Sequence, residues 1–173
     1  GLGDVYKRQA YNGHATPWHQ DGQYWPIRPL ATCTVWLAVD DANEENGCLK
    51  FIRGSHRDKN LKQHEFNEDK NLTLHQELLK SEFNEKESVN LILKRGQISL
   101  HDVYLVHGSD ANSSSKSRRG MTMRFMPTTS VFDHNLAKEK YNNLNVSKYS
   151  NRKIYLARGY DKSKRNNLEV VNF

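Results

Sequence analysis

Thiols are scarce in this sequence, which holds only two cysteines, Cys33 and Cys48, in 173 residues. They lie in apolar, strand-like segments and form no metal-spaced pair, so each reads as a reduced core thiol, which suits a cytoplasmic chain. Long apolar runs are missing as well. Nothing approaches the ~20 residues of a membrane span, and no basic-then-apolar stretch reads as a signal peptide. Internal repeats are absent. Nothing like a nucleophile elbow surrounds Ser55–His56, which removes a hydrolase reading. The 36% of hydrophobic residues suffices for the core of one domain, without surplus. Basic residues are in excess, giving a formal net charge of +6. From Lys138 onward nine Lys or Arg face three Asp or Glu, which accounts for that whole excess. A solvated basic tail is the plain reading; a surface for nucleic acid or anionic substrates is the other.

The apolar pattern that remains is short and β-branched. TCTVWLAV (Thr32–Val39) and CLKFIR (Cys48–Arg53) read as strands around the turn chemistry of DDANEENG. Strand signals return at Val89–Leu93, Ile98–Leu100, Val103–Val106 and Gly120–Phe125, with a last one at Ile154–Ala157. Between them, residues 56–88 turn charged, and this exposed insertion is expected to carry a short helix around Leu72–Lys80. Asn135–Asn151 is Asn- and Lys-rich with little periodicity. Short strands with few helices argue for a β-sandwich or barrel. The first nine residues, GLGDVYKRQ, look like a translated adapter, leaving residues 10–173 as one domain. Only nine residues then separate Gln9 from His19, so an N-terminally truncated fold is expected. No strand pairing is expected upstream of Thr16, and the metal site should be open on one side.

The chemistry concentrates in PWHQDGQYWP. On an extended strand His19 and Asp21 share one face, with Trp18 and Gln20 on the other. An imidazole and a carboxylate suit a divalent ion such as Fe(II), which takes a further histidine to complete a 2-His-1-carboxylate face. His107, in VYLVHGSD, is the candidate, although it lies 88 residues from His19. Arg118 follows His107 by eleven residues. A dicarboxylate chelating iron at one end needs a cation at the other, and an arginine fork meets a carboxylate through two charge-assisted bonds. If Arg118 faces inward, alternation turns Gly120, Thr122 and Arg124 inward too. Met121, Met123 and Phe125 then face outward, onto an opposing layer.

Together HQDGQYWPIRP, TCTVWLAVDD, ENGCLKFIRGSH and HGSDANSSSKSRR resemble the phytanoyl-CoA dioxygenase family, from about Thr16 to Pro127. The resemblance implies an all-β fold: a double-stranded β-helix, or cupin-like jelly-roll barrel, with a helical insertion. It implies iron on His19, Asp21 and His107, 2-oxoglutarate with its far carboxylate on Arg118, and O2 as the third reactant. Trp36 and Ser109 are similar to family residues beside the co-substrate. The expected activity is hydroxylation of a C–H bond in a small organic substrate, an anionic group being one reading, with release of succinate and CO2. Asp21 matters to the subtype, because related halogenases carry a small residue there. Family contacts upstream of the HxD motif have no counterpart to carry over.

Other residues keep two readings. Tyr24, Trp25 and Trp18 line a substrate cavity or belong to the core, and Arg124 meets a substrate anion or forms a structural ion pair. His101 is structural or sits behind the ligands, since His101-Asp102 as neighbours point opposite ways. His56 reads as a turn residue, and His64 and His75 as solvent-facing. A nucleic-acid base dealkylase of the same superfamily competes, through the pair Arg118 and Arg124 and the basic charge. A non-catalytic cupin-like binding domain is the third reading. The expected partner is a small molecule, with neither nucleic acid nor membrane.

Overall fold

A computed structural model describes residues 4–11, 13–144 and 149–169. Along the chain run β1 (Asp4–Arg8), β2 (Thr16–His19), β3 (Ile27–Arg28), β4 (Cys33–Ala38), β5 (Leu49–Ile52), β6 (His64–Phe66) and β7 (Gln76–Leu78). Then follow β8 (Ser88–Leu91), β9 (Ile98–Asp102), β10 (His107–Ser109), β11 (Arg118–Phe125) and β12 (Val131–Phe132). Helix α1 (His134–Leu144) and the short strands β13 (Ile154–Tyr155) and β14 (Leu168–Glu169) complete it. The fold is mostly β with one α-helix, in a cupin-like arrangement. No helix among the described residues is long and apolar enough to cross a membrane.

Two four-stranded antiparallel sheets dominate, ordered β1-β11-β4-β9 and β2-β10-β5-β8. Trp36 and Ala38 of β4 pack with Leu49 of β5 and with Cys48, Ala42 and Leu93, so a shared core joins the two sheets. Alternation on β11 follows the expected phase. Arg118, Gly120 and Thr122 are buried, while Arg119 and Phe125 are exposed. The expected opposing layer differs: that outer side stays open, with Phe125 41% exposed and Ile98 and Leu100 of β9 52% and 63% exposed. Cys33 also lies exposed at the edge of this face, contrary to the core reading, because it opens β4 on the outward phase opposite Phe125. Cys48 is buried as expected.

Several expected elements take another form. Asp4–Arg8 pairs antiparallel with Arg118–Thr122, so strand pairing does exist upstream of Thr16. No α-helix forms at 72–80: Leu78 lies in the β6–β7 hairpin, and Leu72 and Leu74 lie in the connection between its strands. There Gln76 and Leu78 turn inward and Glu77 only partly, and Leu78 packs on Ile52 and Val106. Asn67 and Asp69 hold the hairpin bend by accepting from the backbone N–H groups of Asp69 and Asn71. Val103–Val106 is a turn rather than a strand, closed by Asp102, whose Oδ1 accepts from the Tyr104 N–H at 2.8 Å. Helix α1 arises in a stretch without evident periodicity because Asp133 caps it, its Oδ1 accepting from the N–H groups of Asn135 and Leu136. Part of the Asn-rich stretch, 145–148, lies outside the described residues.

Candidate metal centre

Strand pairing brings the distant histidines together. His107 on β10 lies directly opposite His19 on β2, and opposite residues of an antiparallel pair share a face with close Cβ atoms. Their ring centroids are 4.2 Å apart. After His19 the chain stays extended through Gln20 (φ −115°, ψ 133°), and Asp21 opens a short 3-10 turn. Asp21 therefore returns to the face of His19. Its Oδ1 stands 3.8 Å from His19 Nε2 and 4.0 Å from His107 Nε2. Gln20 turns the other way and is fully buried. Its amide donates to the carbonyls of Asn60 and Tyr104 and accepts from Lys62 N–H, which ties the HxD segment to two loops.

The ring nitrogens are sorted by their backbone partners. Nδ1 of His19 lies 2.8 Å from the Pro17 carbonyl, and Nδ1 of His107 lies 2.8 Å from the Leu105 carbonyl. A carbonyl only accepts, so each Nδ1 carries the proton, and each Nε2 keeps a lone pair turned to Asp21. Burial pushes both imidazoles below their ordinary value, that of His107 well below. Burial alone would raise the Asp21 carboxyl, but Arg124, His101 and His107 outweigh it and hold it well below the ordinary carboxylate range. Neutral imidazoles and an ionised carboxylate are the forms that coordinate a metal. The three donor atoms lie within 4.8 Å of one another, and all three residues are buried. Gaps near 4 Å are too wide for hydrogen bonds, yet one ion with bonds of about 2 Å spans them. The donor set thus fits a divalent cation.

Asp21 Oδ2 has its own partners, of which sequence reasoning missed Thr34. Thr34 Oγ1 donates to it at 2.9 Å, while His101 Nε2 and Arg124 Nε stand 3.7 and 3.9 Å away. Alternation along TCTVWLAV is the signal that could have put Thr34 on the face of Trp36; that Asp21 lies opposite is not in the sequence. His101 takes the place behind the ligands that was one of its two readings.

These groups border a cavity of about 290 Å3 that also holds Trp36, Ser109, Arg118, Thr122 and Tyr24. Arg118 is 3% exposed, its guanidinium 5.3 Å from the Trp36 ring centre. Gly120 makes room for that ring, since a Cβ there would overlap it. Arg119 points outward and forms a two-pronged ion pair with Asp40 at 2.7 and 2.8 Å. One wall, Thr73–Gln76, comes from the charged segment expected to be wholly exposed. It is fastened there by the Thr16–Thr73 hydroxyl contact and by Tyr24, whose OH donates to the Gln76 carbonyl.

Other residues land elsewhere. Trp18 packs on Phe83 and the Ile52–Leu78–Val106 cluster, away from the cavity. Trp25 is both core and cavity wall, with Arg124 4.9 Å from its ring centre. His64 is not solvent-facing. It accepts from Gln20 N–H, and burial pushes it down to about 4. His75, likewise, is half-buried in the cavity wall. His56 lies in the turn after β5.

Fold and site together define a cupin-like β protein with a candidate His–Asp–His metal centre. The family model described as phytanoyl-CoA dioxygenase (PhyH) matches residues 5–120, and the chain belongs to that family. It is 32% identical over 130 residues to the phytanoyl-CoA dioxygenase domain-containing protein 1 homolog of Dictyostelium discoideum, covering 73% of this chain and 45% of that protein. Against phytanoyl-CoA dioxygenase domain-containing protein 1 of Danio rerio the identity is 33% over 124 residues, covering 70% and 42%. The chain thus spans less than half the length of these curated relatives. Among solved structures, the apo form of the non-heme monooxygenase ThoJ superposes with a TM-score of 0.63 at 25% identity, covering 74% of this chain and 46% of that one.

Proposed function

We propose that this chain carries the iron- and 2-oxoglutarate-binding part of a dioxygenase that hydroxylates a C–H bond of a small, anionic organic substrate, with release of succinate and CO2. Its two main sheets are read as the halves of a double-stranded β-helix. The observation that carries the proposal is the convergence of two unprotonated Nε2 atoms and Asp21 Oδ1 on one buried point, in a chain of this family.

In this reading His19, Asp21 and His107 hold Fe(II) on one face and leave the cavity side open. Bound there with 2-oxoglutarate and O2, the metal supplies the oxidising chemistry. Arg118 takes the far carboxylate of 2-oxoglutarate, stiffened by the Trp36 ring beneath it. Ser109 borders the same chamber and is assigned to the co-substrate. Tyr24, Trp25 and Arg124 border the remaining space and are assigned to substrate. The walls around these groups exclude water and fix the reactants' orientation.

Anaerobic titration of the chain with Fe(II) and then 2-oxoglutarate tests the assignment. Binding of one Fe(II), lost in His107→Ala, is expected, followed, once O2 is admitted, by substrate-stimulated succinate formation with a panel of small acids. Metal binding that is indifferent to His107 would overturn it.

A further inference from the structure

We infer that Thr34 is a positioning residue that presents Asp21 to the metal through a single oxygen. The inference rests on the metal-centre reading above and deepens it. One row of the first sheet, Arg124–Thr34–His101, runs straight across β11, β4 and β9 by strand pairing. All three side chains of that row face Asp21 Oδ2, with Thr34 Oγ1 at 2.9 Å and His101 Nε2 and Arg124 Nε at 3.7 and 3.9 Å. A hydroxyl has one proton to donate and an ionised carboxylate only accepts, so the direction of this bond is settled. Thr34 is 1% exposed.

The backbone alone leaves the carboxylate free to turn. Asp21 starts a 3-10 turn, whereas His19 ends a paired strand, and both histidine rings are pinned by backbone carbonyls. The Asp21 carboxylate is the one donor of the three whose orientation depends on a side chain. With Oδ2 held by Thr34, Oδ1 is the oxygen turned to both Nε2 atoms, and the carboxylate binds through one atom. Without that bond the group can rotate toward two-oxygen chelation, which occupies a position that the open face requires.

Metal titration of the full chain with Co(II), followed by calorimetry and by the Co(II) visible spectrum, tests this without turnover. Thr34→Val keeps the shape and removes the donor; Thr34→Ser keeps the donor. Thr34→Val is expected to bind Co(II) about 10–100-fold more weakly, the usual cost of removing a group behind a metal ligand, with an altered spectrum. Thr34→Ser should restore both. If Thr34→Val does not fold, Thr34→Ser and Thr34→Ala carry the same contrast, differing by the hydroxyl alone. Equal affinities and spectra with and without the hydroxyl would overturn the positioning role while leaving the metal centre intact. A wild-type chain that binds no Co(II) would instead bring down the metal-centre reading, and this inference with it.

Discussion

The guanidinium of Arg118 lies 5.3 Å from the ring centre of Trp36, which stands on the neighbouring strand of the same sheet. Arg119, the next residue, is committed to Asp40 on the opposite face. Arg118→Ala is expected to weaken 2-oxoglutarate binding by about 2–5 kcal/mol, the range for a buried, hydrogen-bonded charge pair. Arg119→Ala should leave that affinity unchanged and cost little stability, since its pair is exposed. Calorimetric titration of both variants with the metal-loaded chain is the check. Equal losses would place the co-substrate elsewhere.

Gly120 faces the same ring. A methyl group there would overlap Trp36, whose ring is walled in by the core between the sheets. Gly120→Ala is therefore expected to cost about 1–3 kcal/mol of stability through overpacking. It should also weaken 2-oxoglutarate binding, because the displaced ring no longer supports Arg118. Denaturant unfolding and titration of one sample read both effects. Unchanged stability would mean that the ring has room to shift.

Two buried histidines and the half-buried His64 set an acid-side limit on the metal-free chain. Burial lowers His19 and His107, and takes His64 down to about 4. Above the unfolded value of about 6.5, all three are neutral in both states and add no pH dependence. Below it the unfolded chain takes up protons that the folded chain refuses, so stability falls as the pH drops. The lowered Asp21 carboxyl acts in the same direction at lower pH, since its contribution is present above its unfolded value and is lost as pH falls. The melting temperature of the metal-free chain should thus decline from about pH 7 to pH 5. The decline should be shallower in His64→Gln. Metal affinity should fall only at lower pH than the melting temperature does, because the folded imidazoles of His19 and His107 resist the protons that would compete for Nε2. A melting temperature independent of pH there would contradict the buried neutral state.

What the sequence by itself determined is what local periodicity carries. The two-residue repeat of extended chain puts His19 and Asp21 on one face and separates Arg118 from Arg119, whatever surrounds them. The same repeat would place Thr34 with Trp36, although nothing nearby in sequence names the partner of Thr34. The family was legible in four motifs for the same reason, since each is a short run of residues with fixed order. The tertiary structure decided the rest. His107 meets His19 because β10 pairs with β2, a contact across 88 residues that no window along the chain contains. Thr34, His101 and Arg124 converge on one carboxylate oxygen only through the register of three strands. The leucines near residue 75 suited a helix by spacing, but Gln76–Leu78 pairs with His64–Phe66 as a strand, and the residues that lead into it, Thr73–Gln76, wall the cavity. Helix α1 depended on one capping aspartate rather than on an apolar stripe. Side-chain alternation is a property of the backbone at each residue, whereas strand partners and register come from burying surfaces distant in sequence against each other.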